Sequence, residues 1–206
     1  EYVGYSRPRF DAIIVDEFGV GDFPIGAYEM MAQALRRLTT EFPEKRFYPF
    51  MLDIYGVQGV KSFVESVIDN GSPIVWEWYE REEPDMERGW NKINSTITHA
   101  MGGWRDFLFE AENHMEVCLG YYNLVGESLN ENPAVDFKVW MDMQYYQLAT
   151  HPSFDGLYGV MNYNAKRADG ETLRWQAAIH RHYGIEGNTN LLSDVYGYKY
   201  RPCLLY

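Results

Sequence analysis

Only two cysteines, Cys118 and Cys203, occur in the 206 residues. They lack metal-ligand spacing and make no disulfide framework, and Cys118, set in an apolar run, reads as a buried thiol. Positive charge is scarce too. Eighteen Lys and Arg against 30 Asp and Glu leave a net charge of -12 at pH 7. A chain this acidic repels phosphate backbones and anionic lipid surfaces, which argues against nucleic acid and membrane as partners. No stretch is long enough to cross a bilayer, and no charged start followed by an apolar core marks a signal peptide. Dinucleotide and P-loop glycine motifs are missing, as are the paired-histidine zinc motif and the serine elbow. Their absence removes support for nucleotide binding, zinc hydrolysis and serine-nucleophile chemistry. There is no low-complexity segment or close internal repeat.

Rings are abundant instead. Aromatic residues make up 17% of the chain, with 17 Tyr and 6 Trp, and hydrophobic residues 46%. A chain of this length builds a single domain with a full core, or a piece of a larger one. Core packing claims most of the rings; the rest suit a cleft in which flat rings stack on the apolar faces of sugars. The chain opens at Glu1 and closes on Leu205-Tyr206 after an apolar run. This suggests a processed product or an excised domain.

The stretch Phe10 to Phe18, FDAIIVDEF, organises the reading. Its continuous β-branched run predicts a strand buried on both faces, as in a helix-covered parallel sheet. It ends at Asp16-Glu17, and carboxylates at the end of a buried strand are costly unless they face a polar cleft. Further strands are predicted over Phe47–Tyr55, with Pro49 arguing against a central position, and over Pro73–Tyr79, Met115–Asn123 and Phe154–Asn164. Helical spacing runs from Pro24 to Phe42 and from Val60 to Ile68, where Asn70-Gly71 stops it. A long helix is expected from about Met86 to Glu112, then others over Pro133–Thr150 and Glu171–Tyr183. The tail beyond Gly184 reads as irregular.

Strict strand–helix alternation predicts a parallel sheet with right-handed crossovers. The fold class is therefore α/β: one (β/α)8-type barrel domain over residues 1–206, or the C-terminal five βα units of such a barrel. In these folds ligands bind beyond the carboxyl ends of the strands. That rim gathers Asp16, Glu17, Asp53, Tyr55, Trp76, Glu77, Trp78, Glu80, Tyr121, Tyr122, Asn123, Asn162, Tyr163 and Asn164. Carboxylates, amides and rings without a basic cluster are what glycoside hydrolysis needs. One acid protonates the leaving oxygen, and a second carboxylate attacks the sugar or activates water.

FDAIIVDEF with its glycine turn, WEWYE, and GVMNYNAKRADGETLRW resemble the later strands of (β/α)8-barrel glycoside hydrolases. The adjacent Asp16-Glu17 is similar to the pair in hexosaminidase-like barrels, in which the Glu is the acid and the Asp orients an acetamido group. The chitinase-like series of spaced acids is met only in part, by Asp11, Asp16 and Glu17. The resemblance implies polysaccharide metabolism, favouring an extracellular or periplasmic setting.

Glu17 is the expected general acid and Glu77, between Trp76 and Trp78, the expected base or nucleophile. A general acid here needs a raised pKa, from burial or a neighbouring carboxylate. Asp53 is the reserve. Asp16, Asp53, Tyr55, Trp76, Trp78, Tyr121, Asn123, Asn162 and Tyr163 are expected to hold a carbohydrate substrate, with no cofactor and no metal. Alternatives are a non-catalytic carbohydrate-binding barrel, or a barrel isomerase or aldolase with a divalent cation on Asp16, Glu17, Asp53 and Glu77. His180 and His182, two apart on a helix, read as packing or surface residues. The sequon Asn94-Ser95-Thr96 lies inside a predicted helix. VWMDMQYYQL reads as a helix core face. The oligomeric state is left open.

Overall fold

A computed structural model describes residues 8–19, 24, 26–120, 134–163 and 168–201. The elements are β1 (Ala12–Phe18), α1 (Ala27–Glu41), β2 (Arg46–Met51), α2 (Val60–Asp69), β3 (Ile74–Trp78) and α3 (Met86–Ile93). A π-helical turn (Asn94–Thr98), α4 (His99–Phe107), β4 (Met115–Gly120), α5 (Phe137–Thr150) and β5 (Gly159–Tyr163) follow. The described chain closes with α6 (Gly170–His180), a second π-helical turn (Arg181–Ile185) and α7 (Leu192–Val195). The strands form a parallel sheet in the order β1-β2-β3-β4-β5, so the expected α/β alternation is present. Two compact units divide the chain. One comprises Glu1–Glu77, Gly103–Val117 and Leu157–Val160; the other comprises Trp78–Gly102, Cys118–Gly156 and Met161–Tyr206.

In the first unit, α1 and α2 pack on one face of β1 and β2 through a nest of rings. Phe18 stacks on Phe63 with centroids 4.6 Å apart, and Tyr28 and Phe47 meet it at 6.3 and 6.1 Å. Pro49 sits inside β2 because of where its missing donor falls. Pairing with β3 begins only at Phe50. Below that point the Phe47 N–H is taken by the side chains of Asn70 (2.9 Å) and Ser72 (3.1 Å). Pro49, two residues on, points the same way and needs no N–H there. Strand β1 differs from expectation. It stands first in the strand order, and Ile14 is 66% exposed, so β1 is not buried on both faces.

In the second unit, α5 is buried on nearly every side, from Phe137 through Leu148. The expected core face is therefore a core helix. Aspartates at the N-caps start three of this unit's helices by accepting backbone N–H groups. Asp85 accepts from Arg88 (2.9 Å), Asp136 from Lys138 (2.9 Å) and Asp169 from Thr172 (2.7 Å). Cys118 is buried, with its Sγ 3.7 Å from the Tyr79 hydroxyl. The long expected helix is continuous from α3 to Phe107 but carries the π-helical turn, and it ends five residues before Glu112. Gly102-Gly103 lie inside α4 and do not break it. Among the described residues no helix is long and apolar enough to cross a membrane.

Candidate functional site

The end of β1 is irregular in a specific way. Val15 pairs with Pro49 and Phe18 with Met51, so β1 carries one more residue than β2 between these rungs. This is a β-bulge. Glu17 lies within it in a left-handed conformation, φ 49°. For a residue with a Cβ this costs roughly 1–2 kcal/mol, and such strain clusters at functional positions. Glu110 is the other non-glycine residue with positive φ among those described, at the entry to a single 3-10 turn.

Faces follow from the ring nest. Phe18 turns to the helices, and Phe18, Met51 and Trp76 are partners across three strands. Side chains alternate along a strand. Glu77, one step from this row, therefore lies on the side away from α1 and α2, whereas Glu17 sits in the bulge, where the alternation is broken. On that side Phe50 and Val75 are buried and Glu77 is 6% exposed. Glu17 precedes the row and Glu77 follows it, so two strand spacings across and two residues along separate their backbones, roughly 12 Å. Asp16 and Glu17 are both exposed, so Glu17 lacks the burial expected of it.

Asp53 belongs to the helix side. The indole N–H groups of Trp76, on β3, and Trp104, on α4, act on its carboxylate and lower its pKa. Desolvation is the larger effect and pushes it above the usual carboxylate value, although the residue keeps access to solvent. Tyr55 packs edge-on against Trp104 at 5.3 Å. Burial and the Asp53 charge raise its hydroxyl pKa. Gly103 makes room for this ring; a Cβ there would lie 2.6 Å from it. Trp76 is 0% exposed. It supports Asp53 and offers no face to a sugar.

The first unit thus brings Glu17, Glu77, Asp53, Tyr55 and Trp76 to the carboxyl end of β1–β3, with Asp53 on the opposite face from Glu77. Trp78, Asn162 and Tyr163 belong to the second unit. There the Asn162 side-chain oxygen accepts from Tyr145 and Gln176 and lies 2.9 Å from His180 Nε2. Its amide reaches the Leu119 carbonyl at 3.3 Å. This engagement makes Asn162 a structural junction. Tyr163 stacks on Tyr79, centroids 5.8 Å apart and nearly parallel. Glu80 is held by Lys92 at 3.0 Å. Tyr121, Tyr122, Asn123 and Asn164 lie outside the described residues.

Sequence reasoning missed Trp104 as a partner of Asp53, and missed Tyr145, Gln176 and His180 around Asn162. No short-range spacing signals either set, because the partners come from separate elements. Among the described residues no group of three or more His, Cys, Asp or Glu is placed to hold a metal ion. Compared with protein-family models, curated proteins and solved structures, the chain matches none.

Proposed function

We propose that this chain is the later part of a (β/α)8-type barrel that hydrolyses glycosidic bonds, with Glu17 as general acid and Glu77 as base or nucleophile. The observation that carries the reading is the shared strand end of these carboxylates, with Glu17 in a strained bulge. In the reaction Glu17 gives its proton to the bridging oxygen as the bond to the sugar breaks. Glu77 takes a proton from the attacking water, or attacks directly and is released by water. A backbone separation of roughly 12 Å leaves space for a sugar and a water between the side chains, and inverting enzymes hold their carboxyl groups about 6.5–9.5 Å apart.

The exposure of Glu17 favours a second reading, carbohydrate binding without cleavage, since a general acid needs its proton held by desolvation. Reducing-sugar release from a panel of oligosaccharides separates the two. Loss of roughly 10²–10⁴-fold on Glu77→Gln and on Glu17→Gln, with an unchanged circular dichroism spectrum, supports hydrolysis. Unchanged release by either folded variant removes that residue from the mechanism, and binding without release by the parent protein favours the second reading.

A further inference from the structure

A groove of ≈ 500 Å³ opens in the second unit, lined among others by Trp90, Tyr146, Gln147, Thr189, Asn190 and Asp194. Its volume falls within the roughly 300–1,000 Å³ of small-molecule sites. None of these residues belongs to the carboxylate pair. Trp90 and Tyr146, both half-buried, meet edge to face at 5.6 Å, which fixes the plane of the indole. Asn190, Thr189 and Asp194 are exposed and together offer amide donors, a hydroxyl and a carboxylate.

The walls are pinned from behind. Gln147, 5% exposed, donates to Asn94 and Thr98 at 2.8 Å each, and both partners lie on the first π-helical turn. His182, on the second π-helical turn, bonds the Asn190 carbonyl through Nε2 at 2.8 Å and the Asn188 amide through Nδ1 at 3.1 Å. The buried Asp142 accepts the Ser193 N–H at 2.7 Å and so anchors the residue next to Asp194. Single π-helical turns interrupt regular helix and occur frequently at functional sites. Here the side chains of both support this groove.

We propose that the groove is a carbohydrate-binding site that takes a neutral oligosaccharide, one pyranose stacking on Trp90 with its hydroxyls hydrogen-bonded by Asn190, Thr189 and Asp194. A fixed indole beside donors and acceptors matches a ring that has an apolar face and a polar rim. An anionic ligand is disfavoured by Asp194. The choice of ligand class rests on the proposed function; the existence of the site rests on the groove alone.

The test uses the Glu77→Gln protein, titrated separately with cellohexaose, xylohexaose, mannohexaose and chitohexaose. The Trp90 indole N–H signal in a nitrogen–proton correlation spectrum is assigned by its loss in Trp90→Phe. We expect at least one hexasaccharide to shift that signal in a saturable way. Trp90→Ala, titrated by calorimetry because its indole signal is gone, and, as a surface change that leaves the core intact, Asp194→Ala should each weaken this binding at least tenfold. No shift with any of the four, or a shift with affinity unchanged in folded Asp194→Ala and Trp90→Ala, overturns the site. A saturable shift in a protein whose parent cleaves no glycoside upholds the groove and defeats the hydrolase reading. Cleavage without any shift does the reverse.

Discussion

The Tyr183 hydroxyl donates to the Asp142 carboxylate at 2.7 Å, and Asp142 is 0% exposed. Hydrogen bonds to a buried charge contribute more than neutral ones, and burial beside this carboxylate drives the Tyr183 hydroxyl pKa far up. Tyr183→Phe removes only the donor. It should lower stability by roughly 1.5–3 kcal/mol, read as an earlier urea midpoint. Asp142→Ala should cost more, since it leaves both the Tyr183 hydroxyl and the Ser193 N–H without their acceptor.

Gly26 and Gly59 precede α1 and α2 in the same left-handed conformation, φ 83° and 82°. Alanine at either position should cost roughly 1–2 kcal/mol. A Cβ at Gly26 meets nothing within 4 Å, whereas at Gly59 it would lie 2.4 Å from a Glu29 carboxylate oxygen. Gly59→Ala should therefore melt at a lower temperature than Gly26→Ala. Equal losses would show that Glu29 swings away at no cost.

Burial lowers the His180 pKa. The unfolded chain then holds more protons at this position over the interval from about 6.5 downward to the folded value. Stability from this residue is complete above that interval and is lost as pH falls through it. The parent protein should lose more melting temperature than His180→Gln between pH 7.5 and 5. Parallel losses in the two proteins would contradict this.

Asp53 has the opposite sign. Its folded pKa is raised, mainly by desolvation. Stability from it is full below the unfolded value and is lost as pH rises through the folded one. Asp53→Asn keeps an oxygen for the Trp76 and Trp104 indoles and should be at least as stable as the parent at pH 7. That margin should shrink toward pH 4, which paired thermal melts will show. A variant less stable at pH 7 would mean that the indoles outweigh desolvation.

Much of the fold could be read from local chemistry. The apolar runs located all five strands, and Asn70-Gly71 the end of α2. Boundaries slipped where tertiary contacts decide: Phe154 belongs to a 3-10 turn, and β5 starts at Gly159. The tail hid α7, whose anchor, Asp142, lies 51 positions away from Ser193. The carboxyl-end acids were visible because they interrupt apolar runs. Their faces were not, because the extra residue in β1 breaks the alternation of side chains along that strand. Asp53 and Glu77 were placed together on the rim, although Asp53 serves the helix side. Only strand pairing, which no single stretch encodes, separates them.

Between Val15 and Phe18, β1 takes three steps where its neighbour takes two. Loss of one codon there, for Asp16 or for Glu17, would even the count. Phe18 would still reach Phe63, while the remaining acid would adopt ordinary extended geometry and a different heading. The smallest in-frame deletion thus spares the scaffold and re-aims the acid, so a chain with the same fold and a different strand end lies a single mutational event away.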